Sequence, residues 1–276
     1  MKIAIVGLGL IGGSLAKAFM ALTDTSVYAY DKDEVTMARA RLENAITSNL
    51  TKENIAECDY VFAALYPKAT EEFLKDYAPY ISKSATVIDC GGTKRGICKI
   101  GFKMAEEYGF HFVGGHPMAG THFSGFKYSR ASLFLNAAMI LVPAKNETLE
   151  TLERVKNLLT QVGFKSVTIS SAEEHDRIIA YTSQLAHVVS NAYVKSPNSR
   201  VHKGFSAGSY RDLTRVAKLN PRMWTELFME NSENIAFEID NIIAELKKYS
   251  DAIKNGDEEA LEALLSEGTK IKESIG

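Results

Sequence analysis

Cysteine is scarce in this chain and forms no pattern. Cys58, Cys90 and Cys98 are dispersed through 276 residues without metal-ligand spacing, which speaks against a disulfide framework and leads us to expect reduced thiols in a cytoplasmic protein. No stretch approaches the ~18–20 uninterrupted apolar residues of a membrane span, and the chain opens directly on a strand-like run, so neither a membrane helix nor a signal peptide is expected. The formal net charge is -2 and long basic runs are missing, which leaves no electrostatic footprint for nucleic acid or an anionic membrane surface. Any anionic ligand has to be met locally. Internal repeats and low-complexity segments are absent as well. The length exceeds the ~100–150 residues usual for one domain, so two domains are the natural expectation.

What is present begins at the first strand. Residues 3–6 form a short β-branched and alanine run of the kind buried on both faces of a parallel sheet, and a glycine-rich turn follows. In that turn Gly7 permits a tight bend, Gly9 lets backbone approach a phosphate, and Gly12 lets the next helix, expected to begin near Ser14, pack on the sheet. Leu10 and Ile11 lie between them, where helix N–H groups meet an anion. A second apolar run, 27–30, ends at Asp31, the carboxylate expected to bind a ribose 2′-hydroxyl; it repels a 2′-phosphate and so favours NAD over NADP, although Lys32 stands beside it.

Further strand-length runs occur at 60–65, 86–88, 111–114, 138–142 and 164–169, with helical segments such as 34–43, 70–77, 99–108 and 148–162 between most of them. That alternation predicts a Rossmann-type, doubly wound α/β domain over residues 1–170 with a parallel sheet. After Ser171 the strand pattern stops. Ser171 and Glu174 form a capping-box pattern opening a long helix over 172–194, and helices follow over 223–249 and 258–272. Residues 171–276 thus read as an all-helical domain whose long apolar-striped helices could hardly bury themselves alone, and a homodimer through this domain is expected.

Ligands of an open parallel sheet sit beyond the carboxyl ends of its strands. The string Leu65-Tyr66-Pro67 occupies such a loop, where a nicotinamide could lie; Pro67 equally suits a plain strand end. Asp89-Cys90-Gly91-Gly92-Thr93-Lys94 offers a hydroxyl and a positive charge beside paired glycines, against the ordinary alternative of a solvated lysine. The most unusual string is Gly114-Gly115-His116-Pro117-Met118-Ala119-Gly120-Thr121. Its imidazole is clamped between Gly115 and Pro117 at a strand-to-loop boundary, and the glycines imply that something approaches closely. Downstream, Ser183, Gln184, His187 and Asn191 form one polar helical stripe, though a helix histidine often just bonds a neighbouring carbonyl. Arg211 follows a Gly208-Ser209 approach and is shaped for a bidentate carboxylate grip; a surface pair with aspartate is the alternative.

Taken together, Gly7 to Gly12 with Asp31, Asp89 to Lys94, Gly115-His116-Pro117-Met118-Ala119-Gly120, Ser183 to His187, Tyr210-Arg211-Asp212-Leu213-Thr214-Arg215 and Pro221-Arg222-Met223-Trp224 resemble the prephenate/arogenate dehydrogenase family of tyrosine biosynthesis. The resemblance spans nearly the whole chain in order. It implies a Rossmann domain joined to a helical dimerisation domain, with the active site between them. It also implies NAD-dependent loss of hydride from the carbinol carbon of prephenate and of CO2 from C1, giving 4-hydroxyphenylpyruvate. By this similarity neutral His116 accepts the 4-hydroxyl proton, His187 and Arg211 orient the substrate, and Ser183 and Thr121 are lesser site positions; Trp224 is family-typical and equally suits core packing or pocket lining, and Thr93 and Lys94 are substrate-side candidates by their place at the sheet's carboxyl edge. Activity should then rise with pH through the histidine pKa.

Three departures are visible. Gly92 stands where many relatives have a serine bonded to the catalytic histidine, with Thr93 as the candidate replacement. Ser183-Gln184-Leu185-Ala186-His187 retains the last histidine of the usual motif but loses its first histidine and its proline. Position 122 is His where many relatives carry Glu, which leaves prephenate against arogenate open. The competing expectations are a β-hydroxyacid-type dehydrogenase, which would use a helix lysine, and a dinucleotide-sensing protein without turnover.

Overall fold

A computed structural model describes residues 1–276 except position 122, so the expectation attached to that histidine lies outside the described residues. Residues 2–169 build one eight-stranded sheet in the order β3-β2-β1-β4-β5-β6-β7-β8. The strands are β1 (Lys2–Val6), β2 (Ser26–Tyr30), β3 (Ser48–Asn49), β4 (Tyr60–Ala63), β5 (Thr86–Asp89), β6 (His111–Met118), β7 (Ala138–Pro143) and β8 (Ser166–Ile169). Helices α1 (Leu10–Met20), α2 (Glu34–Leu42), α3 (Pro67–Tyr77), α4 (Arg95–Tyr108) and α5 (Leu149–Gln161) cover both faces. Because side chains alternate along β1, Ile3 and Ile5 pack with Leu15 and Phe19 of α1 and Leu159 of α5, while Ala4 and Val6 face Phe73 and Leu74 of α3 and Ile97 of α4. The strand order reverses between β1 and β4, which creates the crevice where a doubly wound sheet binds its ligand.

Four details differ from the sequence-based expectation. β7 runs antiparallel to β6. Among the described residues between these strands only two short turns occur, Phe126–Tyr128 and Ala131–Phe134, and without a crossover helix there the chain returns in the opposite direction. β6 extends to Met118, so His116 sits inside the strand, paired with Ile140, rather than at its end. α1 starts at Leu10, directly after Gly9, and not near Ser14. The helix expected over 223–249 is two helices, α9 (Pro221–Glu230) and α10 (Ser232–Asn255), broken at Asn231.

The remaining helices are α6 (Ala172–Ile179), α7 (Ala186–Tyr193), α8 (Gly208–Thr214) and α11 (Glu258–Ile275). Ser171 opens α6 by accepting from the Glu174 N–H at 3.1 Å, and a π-helical turn, Ala180–Leu185, joins α6 to α7. Such turns insert a residue into the helical register and often mark functional sites. Among the described residues no helix is long and apolar enough to cross a membrane.

Candidate active site

The glycine turn is shaped as a phosphate cradle. Gly7 has φ +89°, its N–H bonds the Tyr30 carbonyl at 2.8 Å, and a Cβ there would lie 2.5 Å from the Ala64 carbonyl oxygen. A Cβ on Gly12 would lie 1.8 Å from the Gly7 oxygen, so only glycine lets α1 follow β1 this closely. Gly9 has open space on its Cβ side. It caps α1 without a side-chain hydrogen bond, and the first turn, which holds Leu10 and Ile11, carries no acid, so the helix N-terminus presents N–H groups to an anion. The Asp31 carboxylate accepts from Leu8 N–H at 2.7 Å and from Asp33 N–H at 2.9 Å. Each oxygen keeps a lone pair for a ribose hydroxyl. Across the crevice Leu65 packs over Gly7, and Pro67 is the first residue of α3. A dinucleotide fits this set of groups.

Beyond β5 the chain builds a buried charged cluster. Lys94 is 0% exposed and paired with the Asp89 carboxylate, whose other oxygen accepts the Gly115 N–H at 3.0 Å. Lys94 is therefore enclosed protein structure, and its expected place in direct contact with substrate is not where the structure puts it. A Cβ on Gly115 would lie 2.4 Å from the Asp89 carbonyl oxygen, and one on Gly114 2.4 Å from Cys98 Sγ. What approaches these glycines is the protein's own β5 and α4, not a ligand. Cys98 takes no part in charge balance, since burial pushes its thiol far above the ordinary range.

The partner of His116 is a residue that sequence reasoning missed. Its Nδ1 lies 2.9 Å from His175 Nε2, and His175 Nδ1 lies 2.8 Å from Asp176 Oδ1. Asp176 also accepts the Lys94 and Arg95 backbone N–H groups at 2.7 and 2.9 Å, capping α4 from outside. Burial works against an ionised Asp176, and the bonds from His175, Arg95 and Lys94 more than offset it, so the carboxyl stays below its ordinary range. Thr93 is 4% exposed, and the side chain bonded to His116 Nδ1 is that of His175. Gly92 itself faces Leu227 of α9, where a Cβ would lie 3.3 Å from a leucine methyl. Burial first, then the charge of Lys94, holds His116 well below 6.5. It is therefore a neutral base at physiological pH, with Nε2 unpartnered among the described residues. Extending the polar stripe one further heptad back from Ser183 would have reached Asp176 in the sequence.

Helix α9 carries the other wall. Glu226 accepts the Lys68 N–H at 2.9 Å, the Leu227 carbonyl accepts from Gln184 at 3.4 Å, and Trp224 packs on His187 with ring centroids 4.1 Å apart. His187 Nδ1 donates to the Ser183 carbonyl at 2.8 Å across the π-helical turn, which leaves Nε2 as its free acceptor. Desolvation lowers the pKa of His187, the Ser183 bond opposes this, and the charge of Arg215 adds to the lowering. Arg215, whose charge contributes to that lowering, lies one turn beyond Arg211. Arg211 in α8 is exposed, and its side chain has no partner among the described residues. Thr121 is exposed, and its hydroxyl closes a local turn with Phe123 at 3.2 Å.

A nucleotide cradle at a sheet switch point, a neutral anchored histidine beside it and a helical wall define a two-domain dinucleotide-dependent oxidoreductase. Residues 15–168 match the family description "Prephenate dehydrogenase, nucleotide-binding domain", and residues 171–267 match "Prephenate dehydrogenase, dimerization domain". The chain belongs to the prephenate dehydrogenase family. It is 32% identical to a cyclohexadienyl dehydrogenase of Zymomonas mobilis, covering 98% of this chain and 94% of that protein. It is 31% identical to a prephenate dehydrogenase of Lactococcus lactis, covering 99% and 77%. A crystal structure of prephenate dehydrogenase from A. aeolicus with hydroxyphenyl propionate and NAD+ superposes with TM-score 0.84 at 30% identity, covering 100% of this chain and 98% of that one.

Proposed function

We propose that this protein catalyses the NAD+-dependent oxidative decarboxylation of prephenate to 4-hydroxyphenylpyruvate, a step of tyrosine biosynthesis. The observation that carries the reading is His116: neutral, anchored through Nδ1, and with Nε2 left for a substrate hydroxyl. Gly7, Gly9, Gly12 and the N–H groups of Leu10 and Ile11 hold the pyrophosphate, Asp31 the ribose, and Leu65 and Pro67 border the ring end. When bound, NAD+ supplies the hydride acceptor. His116 takes the C4 hydroxyl proton as that carbon becomes carbonyl-like. The C1 carboxylate leaves as CO2, its bonding pair enters the ring, and His116 returns the proton to the phenolic oxygen, so no net proton is released. His187 Nε2 and Ser183 orient the ring, Trp224 covers it, and Arg215 neutralises a substrate carboxylate.

Arogenate carries an amine where prephenate has a keto group and undergoes the same ring chemistry. NADH formation by the purified protein with each substrate separates the two. Prephenate should be the faster; arogenate turnover alone would reassign the substrate, and no NADH with either would reject the reading.

A further inference from the structure

His116 and His175 come from different elements, β6 and α6, and stand 59 residues apart in sequence, yet their ring nitrogens are 2.9 Å apart. Between two imidazole nitrogens at that distance one must carry the proton and the other a lone pair. The far end of the chain of bonds decides which. Asp176 Oδ1 accepts from both Lys94 N–H and His175, and Oδ2 accepts from Arg95 N–H with Arg95 Nε at 3.5 Å. A carboxylate that receives this many donors has no proton of its own to give, so His175 Nδ1 is the protonated nitrogen. His175 Nε2 then bears the lone pair, provided the ring is neutral.

The charges around it require that neutrality. Lys94 is matched by Asp89 and Arg95 by Asp176; Glu233, on α10, also touches Arg95 but lies largely in water. Burial pushes the nearby Glu230 carboxyl up, towards its neutral form. The Asp176 carboxylate already receives two backbone N–H groups and has Arg95 Nε at 3.5 Å, so a protonated His175, whose side chain is 0% exposed, would enclose a further positive charge on a carboxylate that is already shared. Neutral His175 must accept from His116 Nδ1–H.

We propose that His175 and Asp176 are positioning residues that lock His116 in its Nδ1–H tautomer, so that Nε2 is the basic nitrogen offered to the substrate. The proposal rests on the reading of His116 as the base. The pair also accounts for Gly92: the second anchor comes from the helical domain, and the loop after β5 needs no hydroxyl. After Nε2 takes the substrate proton, the imidazolium keeps its Nδ1–H bond to His175, and the Asp176 charge at the end of the chain favours it without any second proton transfer.

Long-range proton–nitrogen NMR correlations of the full-length protein with isotope-labelled histidine, free of substrate, report the tautomer directly. His116 is assigned by the resonance lost in His116→Asn. The expected result is a protonated Nδ1 and an unprotonated Nε2 on His116; a protonated Nε2 overturns the proposal. In His175→Leu, which removes the acceptor, kcat should fall by about 10-fold or more, within the range of general-base effects, while KM changes little. His175→Gln, which keeps an acceptor oxygen, should restore most of it; equal losses in both variants would make the residue merely structural. If the leucine variant does not fold, the wild-type spectrum alone decides. That spectrum needs no turnover, so a wrong tautomer is told apart from a wrong substrate, which only the NADH assay reports.

Discussion

At the scale of single residues, two histidines and one arginine carry the account. His116 and His187 both titrate below the ordinary value of 6.5 in the folded protein, each chiefly through burial. The acid limb of the rate profile should therefore lie well below pH 6.5, with activity level through neutrality, a shift from the sequence-based expectation of a rise through the usual histidine range. For stability the sign is fixed by proton counting. Below about 6.5 the unfolded chain binds protons that the folded rings refuse, so stability is lost as pH falls through that window towards the folded values. Thermal melts should show this loss and show less of it in His187→Gln; an unchanged acid slope in the variant would contradict the assignment. Arg215→Ala should raise KM for prephenate about 10- to 100-fold, the worth of a charge-assisted hydrogen bond, and Arg211→Ala much less. The reverse order would return the carboxylate grip to Arg211. The sequence favoured Arg211 because it follows a flexible glycine, whereas the effect of the Arg215 charge on His187 depends on how the folded chain brings the two together.

At the scale of elements, strong local signals were legible. The glycine fingerprint, Ser171 as a helix cap and the alternation of strands and helices each depend on neighbours a few residues away. The antiparallel β7, the π-helical turn and the break at Asn231 do not. Asn231 continues a helical pattern in sequence, yet it is 0% exposed and its amide donates to the Asp176 carbonyl at 2.7 Å and to Gln184 Oε1 at 2.9 Å. It ties the start of α10 to the helix that holds the histidine anchor. Asn231→Leu leaves Gln184 Oε1 without its donor, while the Asp176 carbonyl keeps the Ala180 N–H, and should destabilise by about 1–3 kcal/mol. Urea unfolding measures this; a midpoint equal to wild type would show that the buried amide contributes nothing.

At the scale of the whole molecule, the helical domain is too thin to bury its own apolar faces. Phe237, Ile243, Leu246 and Ile253 of α10 and Leu265 and Ile271 of α11 are all more than half exposed. Large apolar side chains exposed in this number favour association, which supports a homodimer built through this domain. Light scattering should give twice the chain mass of 30.4 kDa, and a monomer at working concentration would reject that assembly. The site itself was half legible: His116 and His187 stand out by composition and spacing, whereas His175 and Asp176 gain meaning only when α6 is laid against β6.

The most direct test of the account is the kcat of His116→Asn with prephenate, measured beside NAD+ binding by the same preparation. Removal of a general base should lower kcat by about 10²–10⁴-fold and leave cofactor affinity intact. A kcat equal to wild type would show that the proton is taken elsewhere.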